Sequence, residues 1–265
     1  MAKLAYYLRV DAQDCAAEIL LNGAPMLAGP ASFPWSAVPA VSEWVIAGDN
    51  KLGARVLELG AAPRLRISLC QGEVGVAPDD ENELELGVVE LLIPDGTPLP
   101  GAPFELEATA FANHGWGRWY WQDAPTFNAD RHSRQDLFDY LQRIHASLAA
   151  GDAGLIFAAS ELKFRDLCTC YGGTMAEIEA ELRGVFAELV QLPGWELAPL
   201  DPADLELILR ADGRLVQPVT RRGKPALRQI HRDENGVETD EPGWSLTIFI
   251  ARLNPNVSSQ LGVLR

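Results

Sequence analysis

Short apolar runs alternate with turn residues along the first 112 residues, which is the pattern of β-strands. Within 64–69 apolar and polar residues alternate, so Leu65, Ile67 and Leu69 would face a core. Asn22-Gly23 and repeated prolines mark turns between strands. We therefore predict an N-terminal all-β sandwich, jelly-roll-like, over 1–112, with strands at 4–10, 18–21, 44–46, 54–59, 64–69, 83–93 and 104–111.

The apolar spacing changes to a helical period after residue 132. Ser133 followed by Asp136 resembles a capping box, and Gly151 is a natural helix end. Between them, one helical face carries Leu137, Phe138, Leu141, Ile144 and Leu148. This pattern predicts a helix whose apolar stripe packs on a core.

Two more helices and an antiparallel meander are expected in the rest of the chain. The second helix spans 153–170, and the third starts at a capping box of Thr174 and Glu177. The inner face of the third helix would consist of Ile178, Leu182, Val185, Phe186 and Leu189. Strands are predicted at 205–210, 215–220, 226–231, 244–253 and 261–265. The sequence thus predicts two domains, with an α+β domain at 133–265 joined to the sandwich by a tryptophan-rich linker at 113–132.

Three segments of the second half carry a resemblance to a known superfamily. They are LQRIHASLAAGD within 136–152, LELILRADGRLV at 205–216 and WSLTIFIARL at 244–253. Together they resemble the NTF2-like superfamily, which implies a curved antiparallel sheet wrapped by helices around a cone-shaped cavity. That superfamily has no universal catalytic motif and hosts both enzymes and non-catalytic binding proteins. The resemblance therefore assigns no active-site residue.

The first half carries a second resemblance. Gly48-Asp49-Asn50-Lys51-Leu52 resembles the G-x-N-x-L turn of accessory β-sandwiches. Such a sandwich beside an NTF2-like domain is similar to small bacterial immunity proteins, which are encoded beside secreted toxins. This resemblance implies a protein toxin as the partner.

The charge balance is strongly acidic, with a formal net charge of −15. About −10 of this charge precedes Pro125 and about −5 follows it. Such a field repels nucleic acid and anionic membranes, and it suits a protein partner with a basic surface. The alternative interpretation is that the high net charge only keeps the protein soluble. We expect no nucleic-acid partner and no membrane partner.

The N-terminal residues MAKLAYYLRVDAQD lack the apolar core of a signal peptide, so we expect a cytoplasmic protein. The four cysteines form no disulfide framework and are expected to be reduced thiols. Cys168 and Cys170 on one helix would point about 200° apart, so they cannot share a metal ion. We predict neither a metal site nor a cofactor.

The densest aromatic segment is HGWGRWYW at 114–121, which contains Trp116, Trp119 and Trp121. On a strand, Trp119 and Trp121 would share one face. One interpretation is an exposed aromatic platform for a sugar ring or a protein partner. The other is a hydrophobic seam between the two domains. We favour the seam, because a free platform would leave a large apolar patch exposed.

An acidic run at Asp79, Asp80 and Glu81 is a candidate surface for a basic partner. It lacks the glycine and the distal glutamate spacing of a calcium loop. The alternative interpretation is a solvated turn between two strands.

The segment 210–232 runs against the overall charge, and Arg221, Arg222 and Lys224 are its candidate contact residues. They would meet an anion or an acidic partner. The alternative is a polar outer sheet face that balances acidic residues elsewhere in the chain.

His145 and Asp166 are the candidates for acid–base chemistry, because both lie on predicted helices that could line a cavity. Other catalytic signatures are absent from the sequence: it has no G-x-S-x-G, no G-x-x-x-x-G-K-[ST] and no H-E-x-x-H.

These observations leave three functions open. The leading hypothesis is a non-catalytic cytoplasmic protein-binding module, in its most concrete version an immunity or inhibitory protein. The second is an NTF2-like enzyme that uses acid–base chemistry in the cone. The third is carbohydrate binding through Trp116–Trp121, which the expected location weakens.

Overall fold

The chain adopts a mixed α+β fold with large antiparallel sheets. The computed structural model describes residues 3–76, 82–93, 97–128, 130–192, 194–239, 241, 243–257 and 259–265. The internal contacts divide the chain into two compact units. The first unit runs to Trp119 and includes Thr169–Tyr171, and the second comprises Tyr120–Cys168 and Gly172–Arg265.

The first unit is built on one antiparallel sheet, with a 3-10 turn at Ser42–Trp44. Within the described ranges its strands are β1 (Leu4–Leu21), β2 (Ala24–Gly29), β3 (Trp35–Ala37), β4 (Gly48–Glu73), β5 (Leu84–Leu92) and β6 (Phe104–Ala112). β1 and β4 pair along their lengths, from Leu4 opposite Glu73 to Leu21 opposite Leu52. β2 and β3 flank β1, whereas β6 pairs with the first part of β4 and β5 with its last part.

β1 and β4 are long strands, although the sequence predicted two shorter strands in place of each. The β1–β4 ladder shifts register between Gln13 and Cys15, where Asp14 has a positive φ of 49°. Gly60 allows the close approach there, because a Cβ at Gly60 would lie 2.9 Å from the Cβ of Asp14. Such a bulge bends a strand without ending it, so the break in alternation resembled a gap between strands.

Alternate side chains of the sheet form the core of the first unit. Leu65, Ile67 and Leu69 of β4 are buried and Arg64 and Arg66 are exposed, as the alternation predicted. Burial of one such apolar side chain contributes about 1.5–3 kcal/mol to stability. On β1 the buried set includes Tyr6, Leu8, Val10 and Ala12.

The second unit contains five helices and six strands in its described part, except that the last three residues of the fourth helix, Thr169–Tyr171, belong to the first unit. The helices are α1 (Tyr120–Asp123), α2 (Arg131–Ala149), α3 (Gly154–Ala159), α4 (Glu161–Tyr171) and α5 (Met175–Leu189). The strands are β7 (Leu205–Arg210), β8 (Leu215–Thr220), β9 (Leu227–Arg228), β10 (Ser245–Leu246), β11 (Ile250–Arg252) and β12 (Leu261–Val263). They form an antiparallel sheet in the order β12-β11-β8-β7 and a small β9–β10 pair. None of the described helices is both long and apolar enough to cross a bilayer.

Helix α2 begins earlier than the sequence predicted. Its N-cap is Asp130, whose carboxylate accepts a hydrogen bond from the Ser133 backbone N at 2.8 Å. The same hydrogen bond holds the pKa of Asp130 below its usual range. The cap is therefore not the predicted pair of Ser133 and Asp136. Four of the five residues of the predicted stripe, Leu137, Leu141, Ile144 and Leu148, are buried, whereas Phe138 is half-buried.

The other helices differ from the prediction in two ways. The single helix expected at 153–170 is broken at Ser160 into α3 and α4. Helix α5 has the predicted capping box, but its predicted inner face is only partly covered. Phe186 is buried, whereas Leu182 and Val185 are 40% and 52% exposed.

Candidate functional site

An aromatic cluster in the first unit surrounds one backbone carbonyl. The Val45 oxygen accepts a hydrogen bond from Trp119 Nε1 at 2.6 Å, and His114 Nε2 lies 3.1 Å from it. The Trp116 ring stacks on the His114 ring with 4.6 Å between centroids. The ring of Tyr6 meets that of Trp116 edge-on at 5.6 Å. These contacts hold the residues before β4 against the segment that follows β6.

The hydrogen bonds of His114 define its tautomer. A carbonyl can only accept, so Nε2 carries the proton that is donated to Val45. Nδ1 then accepts from the Trp116 backbone N at 3.4 Å. Burial lowers the pKa of His114, and the hydrogen bond to Val45 opposes that effect in part. His114 is therefore a neutral structural residue.

The three candidate tryptophans do not form one open platform. Trp119 and Trp121 are 1% and 5% exposed, and Trp116 is half-buried in the cluster. Trp119 and Trp121 do not lie on a strand: Trp119 precedes a helix and Trp121 lies within α1. Gly117, with a positive φ of 84°, turns the chain between Trp116 and Trp119.

A groove of about 460 Å³ lies over the exposed side of the first unit's sheet. We call it the outer groove, and it is lined by Asp11, Ala12, Gln13, Pro34, Trp35, Ser36, Arg64, Leu65, Arg66, Glu90 and Leu92. The sheet register aligns its side chains in two rows across β1, β4 and β5. One row is Asp11, Arg66 and Glu90, and the next is Gln13, Arg64 and Leu92.

Two charged residues of the outer groove are available to a ligand. Arg66 is occupied, since it contacts Glu85 at 2.6 Å and also contacts Glu90. Among the described residues, the side chains of Asp11 and Arg64 have no ion-pair or hydrogen-bond partner. Asp11 is paired with Arg66, and Arg64 is paired with Gln13. Asp11 and Arg64 are therefore diagonal neighbours on adjacent strands, so one partner group can reach both.

One exposed apolar side chain lines the outer groove, and a second belongs to the residue before one of its lining residues. Leu92 is 70% exposed, and Phe33, which precedes the lining residue Pro34, is 57% exposed. Trp35 covers Gly29, where a Cβ would lie 2.1 Å from the indole ring. The groove thus combines apolar contacts with unpaired charges of both signs.

The second unit contains a smaller cavity of about 170 Å³ beside α5, which we call the α5 cavity. Its described lining is Leu148, Ala153, Ile156, Phe157, Ser160, Lys163, Phe164, Leu182, Val185, Phe186, Leu189, Trp244, Leu246, Ile248 and Val263. Most of these residues belong to, or pack on, the apolar core of the unit. The break between α3 and α4 places Ser160 in the wall.

His145 and Asp166 have separate structural partners. His145 Nε2 lies 2.8 Å from the carbonyl oxygen of Ala198. Asp166 forms an ion pair with Arg265 at 2.7 Å, and both residues are nearly fully buried. The described lining of the α5 cavity includes neither candidate. The geometry therefore offers no acid–base pair facing that cavity.

Two arginines of the basic segment are paired with glutamates. Arg228 contacts Glu238 at 3.0 Å, and Arg232 contacts Glu196 at 2.8 Å. The candidates Arg221, Arg222 and Lys224 are exposed in the turn that follows β8.

The acidic candidates Asp79, Asp80 and Glu81 lie outside the described residues. Nearby, Glu83 accepts a hydrogen bond from the Tyr7 hydroxyl at 2.7 Å and pairs with Arg9 at 3.1 Å. Burial, followed by the charges of Glu83 and Glu85, raises the pKa of the Cys70 thiol to about 12. This thiol is therefore protonated and unreactive at neutral pH.

Sequence reasoning missed Asp11, Gln13 and Trp35 as surface candidates. The alternation of polar Arg9, Asp11 and Gln13 with apolar residues was a usable signal, because it puts the polar set on one sheet face. It did not show that a groove lies above that face. No set of three or more His, Cys, Asp or Glu side chains within the described part of the chain could hold a metal ion.

Comparison of the chain with protein-family models, with curated proteins and with solved structures finds no match.

Proposed function

We propose that this protein is a non-catalytic binding module that docks a protein partner in the outer groove of its first unit. The observation that carries the proposal is the pair Asp11 and Arg64, which are charged and unpartnered within the described residues, beside exposed apolar side chains. In the narrower version, the protein is an immunity or inhibitory protein and the partner is a toxin or effector.

The composition of the groove supports a protein rather than a small molecule. Protein interfaces combine aromatic and arginine anchors with a polar rim, and Phe33, Trp35 and Arg64 provide such anchors. Single exposed apolar residues are ordinary, but apolar residues around a concave surface usually have a binding role.

The charge of the whole chain supports a basic partner. A net charge of −15 attracts a basic surface at long range, and complementary charge raises the association rate more than the affinity. Asp11 would then form an ion pair with a lysine or arginine of the partner. Phe33 and Leu92 would pack against apolar side chains of the partner. Association should slow as ionic strength increases.

Finer assignments of fold and location are part of the same proposal. The two long strands, with four partner strands in the described ranges, support a jelly-roll-like sandwich for the first unit. Helices followed by the β7, β8, β11 and β12 sheet support an NTF2-like second unit. Four free thiols are in keeping with a reducing cytoplasm.

The test compares groove variants with a matched surface variant. The tagged full-length chain is expressed in its own host, and its complexes are isolated from wild type, Leu92→Glu, Asp11→Lys and Phe111→Glu. Phe111 is 62% exposed on β6 and does not line the groove, so it is the control. We expect one partner with an excess of Lys and Arg, which both groove variants lose and the control retains.

Two results would contradict the proposal. One is a partner that binds both groove variants as well as it binds wild type. The other is the absence of any stoichiometric complex when the wild-type chain is co-expressed with the product of the adjacent gene and no host partner is recovered.

A further inference from the structure

We propose that the free edge of β7 in the second unit pairs with the same strand of a second copy of this chain, which gives a two-fold symmetric dimer. This surface is not part of the outer groove, so the inference goes beyond the proposed function. Three observations carry it: a regular strand edge, an exposed leucine on that edge, and a charge pattern that is complementary to itself.

β7 is the open edge of its sheet. It ends the order β12-β11-β8-β7, and it pairs with β8 from Leu205 opposite Thr220 to Arg210 opposite Leu215 without a register shift. Its six residues include neither proline nor lysine, with which edge strands commonly resist further pairing. At the other edge, β12 has three residues, and all of them are buried. A further strand can therefore join this sheet at β7.

The outward backbone groups of β7 belong to alternate residues. The Asp204 oxygen accepts from Arg221 N at 2.8 Å, so the even-numbered residues of the antiparallel ladder bond to β8. The odd-numbered residues then point their N–H and C=O groups away from β8. Leu205 N agrees with this direction, since it donates to the preceding turn at 3.0 Å. Within the described ranges, the backbone groups of Leu207 and Leu209 have no hydrogen-bond partner.

A two-fold axis at Ile208 matches the side chains of two copies. In that antiparallel register, Leu207 lies opposite Leu209 of the second copy and exchanges backbone hydrogen bonds with it. Glu206 lies opposite Arg210 of the second copy. The axis repeats each contact, so both occur twice. Moving the axis by one residue in either direction would remove Arg210 from the position opposite Glu206.

The apolar side chains of the edge also fit a second copy. Leu205, Leu207 and Leu209 share one sheet face, and the first two pack against the apolar core of the unit. Leu209 is 44% exposed. In the symmetric pairing it lies beside Leu207 of the second copy. Dimer formation thus covers a leucine that the single chain leaves open to solvent.

The charges near the two ends of β7 are opposite. Glu206 is exposed, and its carboxylate has no ion pair or hydrogen bond in the part of the chain that the structure describes. Arg210 donates from Nε to Gln217 Oε1 at 3.0 Å, and the pairing does not require it to be free, because a guanidinium has five N–H donors. Opposite charges facing each other stabilise antiparallel strands, and like charges destabilise them. A second copy of β7 supplies the complementary charge at both ends.

The test measures self-association of the full-length protein by sedimentation velocity between about 1 μM and about 300 μM. The buffer contains about 0.15 M salt, which screens the long-range repulsion between two acidic chains. One edge strand buries little area, so we expect a reversible dimer with a dissociation constant of about 10–100 μM.

Two charge reversals test the register. Glu206→Arg and Arg210→Glu each put like charges opposite each other twice, and each should raise the dissociation constant by about tenfold or more. An equimolar mixture of the two variants should associate about as tightly as wild type, because every charge then faces its opposite. Circular dichroism checks that both variants are folded.

A second pair of variants keeps the test decisive if Arg210→Glu does not fold. Leu209→Pro removes an outward N–H at an edge position where proline is tolerated, whereas Leu209→Val keeps that N–H. We expect the proline variant to be monomeric and the valine variant to dimerise. A monomeric wild type, a dimer that Glu206→Arg leaves intact, a mixture of folded charge variants that stays monomeric, or equal association of the two Leu209 variants would each overturn the proposal.

Discussion

At the residue scale, Asn50 shows how one buried amide fixes a turn. Its Oδ1 accepts from Ile46 N at 2.8 Å and from Asn22 Nδ2 at 2.9 Å. Its Nδ2 donates to the carbonyl oxygens of Ile46 at 2.9 Å and Gly48 at 3.0 Å. A primary amide has two donor hydrogens and two acceptor lone pairs, so Asn50 is fully satisfied.

We predict that Asn50→Asp destabilises the protein by about 3 kcal/mol, because the carboxylate cannot donate to the two carbonyl oxygens it would face. Urea unfolding at neutral pH measures the change. Asp49→Asn is the control, since Asp49 is exposed one residue earlier and the exchange is chemically similar. A loss below about 1 kcal/mol for Asn50→Asp would show that the turn does not depend on this amide.

A second residue-scale prediction concerns His114 and pH. The folded state lowers the pKa of His114 below the unfolded value of about 6.5, chiefly through burial. Its contribution to stability is complete above that value and is lost as the pH falls, because the unfolded chain then binds a proton that the folded chain resists. The added proton would sit on Nδ1, which now accepts from Trp116.

We therefore expect wild type to lose more stability than His114→Gln between about pH 8 and about pH 5. Urea midpoints at each pH provide the comparison. The control is His132→Gln, because the His132 side chain is 78% exposed. The interpretation fails if the wild-type and His114→Gln stability curves run parallel across this range.

At the element scale, β5 and β6 approach each other at a glycine. A Cβ at Gly87 would lie 2.7 Å from the Cβ of Ala110, which is fully buried. Real Cβ atoms do not come so close, so a side chain at Gly87 forces the two strands apart. Glycine is required at this position for space rather than for its backbone freedom.

We predict that Gly87→Ala destabilises the protein by about 1–3 kcal/mol and that Ala110→Gly in the same chain restores part of the loss. A double-mutant cycle by urea unfolding measures the coupling. Gly184→Ala is the control, because nothing lies within 4 Å of a Cβ there and the change should raise helix stability. Additive effects of Gly87→Ala and Ala110→Gly would rule out the close contact.

The sequence predicted whether a segment is a helix or a strand better than it predicted where the element ends or which of its side chains are buried. The capping box of Thr174 and Glu177 and the buried stripe of α2 were local patterns, and both are present. The continuity of β1 across Asp14 depends on Gly60, which is distant in the sequence, so local alternation missed it. The exposure of Val185 depends on which distant parts of the chain cover α5, and the helical period does not encode that.

At the scale of the whole molecule, the candidate site was the least predictable feature. The outer groove brings together residues near 11, 35, 64 and 90, and only the register of four strands makes them neighbours. Charge counts along the sequence were misleading for the same reason. Arg228 and Arg232 belong to a basic segment, but Glu238 and Glu196 balance them in space.

The pairing of β1 with β4 also has a consequence for folding kinetics. Leu21 and Leu52 are 31 residues apart along the chain, whereas Leu4 and Glu73 are 69 residues apart. Loop closure costs less entropy at the shorter separation, so the pairing of β1 with β4 should begin near Leu21 and extend toward Leu4. Contacts of this range place β-rich folds among slow folders, at about milliseconds to seconds. The newly made chain must therefore wait for Glu73 to be synthesised before β1 finds its last partner.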